Sequence, residues 1–231
     1  MFNELLWFLF MLLDLSMVLV MFRLFGKEGL LAVIVMSSIV CNIQVIKLVN
    51  MFGFVATLGN IVYASNFFAT DLLSEYYGKK AARKGVLLGF SMLLVATIWM
   101  QFALAFKPSP EDFSQEHLKA IFSLLPRITF ASLTAYILSQ LHDVWAFHFW
   151  KDKTKGKHLW LRNNASTMVS QLIDTFVFTF LAFFGTVDKT TFWSILWTTY
   201  FFKWIVAAAD TPFMYLSKMI YKKITRQDTL F

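Results

Sequence analysis

Eight ionisable residues lie within or at the edges of long apolar runs of this chain: Asp14, Lys47, Asp71, Arg127, Asp143, Asp174, Lys203 and Asp210. The amides Asn42, Gln44, Asn60, Asn66, Gln101, Gln140 and Gln171 accompany them. Such a group costs several kcal/mol in an apolar span unless it meets a partner or a watery cavity, so each marks a candidate site. Helical spacing sorts them. Gln140 and Asp143 lie three apart, Thr167, Gln171 and Asp174 recur at i, i+4 and i+7, and Ser38 pairs with Asn42 at i+4, so each set shares one helical face. Lys203 and Asp210, seven apart, share another. Carboxylates and amides among many aromatic rings suit a small polar ring compound. One carboxylate accepts a ring N–H and an exocyclic amine as a fork, a Gln, Asn, Arg or Lys donates to the ring carbonyl, and Phe, Trp or Tyr stacks on the plane. The inventory fits this chemistry without choosing one heterocycle over another.

Plainer uses compete at several positions. Asn163 and Asn164 suit helix caps as well as ligand contacts. Lys47 suits a snorkelling lysine. Lys203 and Asp210 suit an internal ion pair. Arg127, directly after Pro126, either fills carbonyls freed by a helix irregularity or contacts an anion. Asp14 has no polar neighbour at helical spacing. Catalytic motifs are absent: there is no HExxH, GxSxG, P-loop or paired-cysteine pattern, and His117, His142, His148 and His158 lack metal-ligand spacing. An aspartyl protease built on Asp143 and Asp174 would lack Gly-rich surroundings. The reading is therefore a non-enzyme with neither cofactor nor metal, and coupling to ATP would need a separate subunit.

Residues of this kind need a bundle to hold them. Of 231 residues, 58% are hydrophobic and 15% charged, with 27 Phe and 8 Trp and a mean hydropathy of +0.61. Soluble domains carry about 25% charged residues, so this composition excludes a soluble enzyme, a disordered chain and a secreted disulfide scaffold. It predicts an all-α polytopic membrane protein of one domain. Apolar stretches place spans near 4–25, 30–50, 52–72, 86–106, 120–148, 164–186 and 190–217. The segment 52–72, with Gly53, Gly59, Asn60, Ser65, Asn66 and Thr70, reads as either a full crossing or a broken one lining a cavity. The single Cys41 has no disulfide partner. The net charge of +7 clusters at span ends, in loops around Lys79–Lys84 and Lys151–Arg162 and in a tail from Lys218 to Arg226. That pattern predicts cytoplasmic loops and a cytoplasmic C-terminus, with no nucleic-acid partner. The same flank argues against glycosylation at Asn164-Ala165-Ser166.

The run from Ala69 to Gly85, Ala-Thr-Asp-Leu-Leu-Ser-Glu-Tyr-Tyr-Gly-Lys-Lys-Ala-Ala-Arg-Lys-Gly, resembles the signature of the queuosine precursor transporter family, also labelled vitamin uptake transporters. Ser139 to Val144, Trp160 to Thr167, and Gln171 to Thr175 follow in that family's order and spacing, and Tyr200 to Lys203 with Pro212 resembles its last span. The resemblance covers about residues 30–217. It implies a bacterial inner-membrane importer of 7-cyano- and 7-aminomethyl-7-deazaguanine, with six core helices (28–217) similar to energy-coupling-factor substrate-binding subunits. An extra N-terminal helix (1–27) and a basic tail (218–231) flank that core. It further implies base contacts from Asp71, Asp143, Asp174, Gln140, Gln171 and Asn42, with Arg127 and Lys203 as donors. Trp160 and Tyr200 fit stacking or gating as well as interfacial anchoring. Uptake of another vitamin or a purine-like heterocycle remains the alternative. Diffusion with trapping, proton coupling and docking on an external ATPase module all stay open, as does a homo-oligomer.

Overall fold

The computed structural model describes residues 2–44, 47–51, 54–123, 126–155, 157–185 and 189–228. Among them the order is α1 (Phe2–Gln44), β1 (Leu48–Met51), β2 (Phe54–Thr57), α2 (Asn60–Ala105), α3 (Gln115–Phe122), α4 (Pro126–Lys153), α5 (Leu159–Phe183), α6 (Lys189–Ala209) and α7 (Thr211–Asp228). Every long element is a helix, as expected. The addition is one antiparallel hairpin, in register Leu48 with Thr57 and Met51 with Phe54.

At 1.5 Å per residue, α1 and α2 would each reach about 65 to 70 Å if straight, twice the roughly 30 Å of a hydrocarbon core. Neither is straight. Gly26 (φ 53°) interrupts α1 and Gly78 (φ 81°) interrupts α2. Both occupy the left-handed region that a residue without Cβ adopts at no steric cost. Each long helix thus holds two apolar segments. Both helices, and Asn164–Ala182 within α5, are long and apolar enough to cross a membrane.

Several expected boundaries shift. The 52–72 segment is not one helix: β2 runs to Thr57, and α2 starts at Asn60. The 30–50 span stops at Gln44, where β1 follows after a short connection. Near 120–148, α3 ends at Phe122 and α4 begins on Pro126, a position where a missing N–H removes no helical bond. The Lys79–Lys84 stretch is helical, not a loop. The last span closes at Ala209, and Asp210 sits in a turn before α7, whose first turn contains Pro212. Residues 218–228 of the expected tail belong to α7, and 229–231 lie outside the described residues.

Burial runs opposite to that of a soluble protein. Along the first half of α1, Trp7, Met11, Leu15, Val18 and Phe22 are buried, while Leu5, Leu9, Leu12, Leu13 and Met17 are exposed, so apolar residues cover both faces. Such all-round apolarity suits a helix between protein and lipid. The buried face belongs to the same core cluster as Ile34, Phe68, Leu72 and Val206, which packs the expected extra helix into the bundle. Residues 60–74 of α2 are buried on every side. The polarity that made this stretch ambiguous in sequence marks the helix that touches protein all around.

Contacts define two ends. At one, Phe22, Tyr76 and Tyr221 stack, Tyr76 meets the Ser217 hydroxyl at 2.6 Å, and Lys151 pairs with Glu75 at 3.3 Å. The basic stretches around Lys27, Lys79 and Lys151 therefore gather together. At the other, Ser132 donates to Asn42 at 2.8 Å and Gln101 donates to the Phe122 carbonyl. The loop after α2 on that side is acidic, with Glu111 and Asp112 held below the ordinary carboxylate range by the Ser109 and Ser114 hydroxyls.

Close approach of α1, α2 and α4 depends on Gly89. A Cβ there would sit 2.5 Å from the Tyr136 hydroxyl and 2.9 Å from both Ile34 and Ser38. Gly89→Ala is expected to lower stability by about 1 to 3 kcal/mol through overpacking, read as a reduced Tm in detergent.

Candidate functional site

A column of polar side chains runs through the bundle. The first half of α2 and α4 run from the acidic end towards the basic end, and α5 runs back alongside α4, so residue numbers rising along the first two meet numbers falling along the third. Its layers follow that register.

Nearest the acidic end, Asn66 Nδ2 donates to Ser38 Oγ at 2.8 Å, and Ser38 donates to the Tyr136 hydroxyl at 3.2 Å. Asn42 completes this layer, donating to the Ser38 carbonyl and accepting from Ser132. The next layer holds a buried ion pair. Lys203 on α6 bonds to Asp174 on α5, whose other oxygen accepts from Tyr63 Oη and, at 3.3 Å, from Ser139. The Lys203 ammonium also lies 4.7 Å from the centre of the Tyr63 ring. Three donors on one buried carboxylate is the saturation that a charge in low dielectric requires.

One turn further, Gln140 on α4 and Gln171 on α5 are both fully buried. Among the described residues none of their four amide atoms has a hydrogen-bond partner. Beyond them, Asp71 accepts from Thr167 at 3.0 Å through one oxygen. Its carboxyl interacts with that of Asp143, with Asp210 nearby. Neither oxygen of Asp143 has a hydrogen-bond partner of sound geometry, although Ser166 and Ser170 lie beside it. Outside the column, Ser65 bonds to Asp14, which supplies from α2 the partner that α1 spacing lacked.

The structure thus unites Asn42, Asn66, Asp71, Gln140, Asp143, Gln171, Asp174, Lys203 and Asp210. Asn60 is buried at the start of α2. Other expectations need correction. Lys203 pairs with Asp174, not with Asp210: seven residues along α6 amount to about 10 Å, whereas α5 brings a carboxylate alongside. Asn163 and Asn164 are not caps, because α5 already begins at Leu159. Asn164 instead donates to Thr211 Oγ1 at 2.6 Å, tying α5 to α7. Trp160 is half-exposed, and the half-buried Tyr200 reaches the Met168 carbonyl at 3.4 Å, so neither joins the column. Lys47 is exposed beyond the end of α1. The side chains of Arg127 and Asn163 lie outside the described residues.

Sequence reasoning missed Tyr63, Tyr136 and Ser139. The signal was available, since Tyr63, Asn66 and Thr70 stand at i, i+3 and i+7 and Ser132, Tyr136 and Gln140 at i, i+4 and i+8. Among the described residues no group of His, Cys, Asp and Glu is arranged to hold a metal ion.

An apolar coat around a polar column defines a membrane protein of several crossings. Comparison with known proteins specifies the kind. The family described as "Putative vitamin uptake transporter" matches residues 57–217. The "Probable queuosine precursor transporter" of Bacillus subtilis is 44% identical over 94% of this chain and 96% of its own length. A protein of the same name from Haemophilus influenzae is 31% identical over 60% of this chain and 57% of its own. The "Queuosine precursor transporter" of Escherichia coli is 31% identical over 61% of each. No solved structure matches. The chain belongs to the vitamin uptake transporter family, and its relatives carry the names of transporters, not of enzymes.

Removing one partner of the ion pair leaves the other charge buried alone. Lys203→Met is expected to destabilise the protein by about 3 to 5 kcal/mol. Combining it with Asp174→Leu should recover most of that loss, measured by thermal unfolding of the single and double variants.

Proposed function

We propose that this chain imports queuosine precursors, 7-cyano-7-deazaguanine and 7-aminomethyl-7-deazaguanine, across the bacterial inner membrane. The observation that carries the reading is the fully buried set Gln140, Gln171 and Asp143, whose polar atoms lack hydrogen-bond partners of sound geometry among the described residues, next to the saturated Asp174–Lys203 layer. Buried amides and carboxylates without partners cost about 1 to 3 kcal/mol each, and more when charged. A transported base with complementary donors and acceptors offsets that cost.

Asp143 accepts the ring N–H and exocyclic amine of the base. The two glutamines then serve its carbonyl and ring nitrogens, because an amide offers both donor and acceptor. Asn66 Oδ1, also without a partner among the described residues, sits about 7.5 Å before Asp71 along α2 at 1.5 Å per residue. That separation is on the order of a bicyclic base, so Asn66 is placed to accept from an aminomethyl group. Asp174 and Lys203, each engaged with the other, frame the site. Asn42 supports it through Ser38.

The family relationship and the queuosine names of three relatives support the substrate class. The gathering of basic stretches at one end supports an orientation with Arg23, Lys27, Lys79–Lys84, Lys151–Lys157 and α7 in the cytoplasm, by the excess of Lys and Arg in cytoplasmic loops. The six segments from 27 to 209 then form the transport core behind the first helix.

Gln140→Leu and Gln171→Leu separate binding from stability. Each is expected to weaken binding of 7-aminomethyl-7-deazaguanine about tenfold or more, since a tenfold change corresponds to about 1.4 kcal/mol. Tm should hold or rise, because an apolar side chain replaces an unpartnered amide. Calorimetry and thermal shift on purified protein read both, with guanine, adenine and biotin as competitors. Absence of any binding to folded wild type would remove the deazaguanine assignment, and preference for biotin or adenine would move it to another heterocycle.

A further inference from the structure

The proposed base site leaves one group unexplained. Asp71 and Asp143 bring two carboxyls into contact in the fully buried middle of the bundle. Thr167 donates to one oxygen of Asp71, while Asp71 Oδ1 and both oxygens of Asp143 lack hydrogen-bond partners. The other groups facing the pair are Ser166 and Ser170 on α5 and Asp210 in the turn before α7. Lys203, the cation nearest in the column among the described residues, is committed to Asp174 one layer away. Glu75, one turn along α2, is committed to Lys151. Two neighbouring carboxylates with no cation paired to either among the described residues repel strongly in low dielectric, and one proton held between them removes the repulsion.

A second observation places another titratable group beside the pair. The partly exposed His142 meets the Ser170 hydroxyl at 2.9 Å, that hydroxyl donates to the Ser166 carbonyl at 2.8 Å, and Ser170 lies beside Asp143.

We infer that Asp71 and Asp143 bind one transported proton between them and that this proton crosses the membrane with the base. The inference rests on the proposed function and names its coupling ion. With the proton on Asp71, Asp143 is left as the single carboxylate that receives the base. Without it, the two charges repel and the base loses its acceptor geometry. Proton and base therefore load together on the outer side. The proton leaves Asp71 for water after the base departs inside, so the O–H bond formed on loading is the one broken on release, and one H+ is carried per base.

The test uses wild-type protein in proteoliposomes with no ATPase present, measuring both counterflow exchange of labelled 7-aminomethyl-7-deazaguanine and net uptake under an imposed pH gradient. An outside-acid gradient is expected to accelerate wild-type uptake several-fold, and a protonophore to abolish the acceleration. Asp71→Asn, which resembles the protonated acid, should retain measurable counterflow with a flat pH profile and no response to the gradient. Thr167→Val, a second variant that removes the hydroxyl on Asp71, should shift the pH at which counterflow is half-maximal. Counterflow by wild type with uptake indifferent to the gradient would overturn proton coupling and leave the proposed function standing. So would a gradient response that survives in Asp71→Asn, or a Thr167→Val profile identical to wild type. Wild type that neither binds nor exchanges the base would remove the proposed function, and the inference with it.

Discussion

Lipid offers no hydrogen bonds, so every polar group that this chain carries into the membrane must be satisfied by the bundle or by what the bundle holds. The arrangement around Asp174 shows how demanding that is. One carboxylate draws donors from three other helices: Tyr63 from α2, Ser139 from α4 and Lys203 from α6. For these to converge, α2 must occupy the middle of the bundle, with residues 60–74 surrounded on all sides. α1 and the second half of α2 must also approach within the width of a glycine, as Gly85 and Gly89 allow. Register, helix order and the small residues at the contacts follow from that requirement.

The two interruptions at Gly26 and Gly78 serve the same end. Each lets a long apolar helix turn near the basic end, where a Cβ on Gly26 would meet Tyr77 at 3.3 Å. Rings from α1, α2 and α7 then stack over that end. Local backbone permissiveness at two residues therefore converts long apolar stretches into a bundle short enough for a bilayer.

Much of this was legible in the sequence, for identifiable reasons. Apolar runs and clustered lysines report directly on burial in lipid and on span ends, so the membrane class and most segments could be read. The stripes of Gln140 with Asp143 and of Gln171 with Asp174 were legible because helical periodicity fixes which residues share a face. What periodicity cannot supply is the neighbour across a helix contact. Ser65 as the partner of Asp14, Asp174 as that of Lys203 and Thr211 as that of Asn164 all depend on packing. The helix starts at Asn60 and Pro126, and the strands before the first of them, were hidden because hydropathy is nearly constant across those boundaries. The 52–72 stretch stayed open between a full and a broken crossing for a related reason, since hydropathy measures fitness for lipid and residues 60–72 are buried in protein.

The contrast between layers separates structure from function within the column. Asp174 and Lys203 are saturated with protein partners, and such a group contributes to holding helices in register whether or not a solute is present. Gln140, Gln171 and Asp143 are as deeply buried and have no partners of sound geometry among the described residues. A purely structural bundle would be more stable with apolar residues at these positions, because an unpartnered buried polar group is costly while its apolar replacement is close to neutral. These polar side chains on two facing helices are therefore what the proposed base site rests on. The ends of the column differ in a way that suits such traffic: the acidic end is closed by neutral hydrogen bonds among Asn42, Ser132 and Ser38, and the basic end by stacked rings and the Glu75–Lys151 pair. On the proposed reading, a base held at the middle would reach either side only when one of these closures parts and the other stays shut, as alternating access requires. Helix α7, joined to the core through Tyr221 and Ser217 and following directly on Asp210, is the element whose movement would open the basic end and alter the surroundings of the carboxyl layer together.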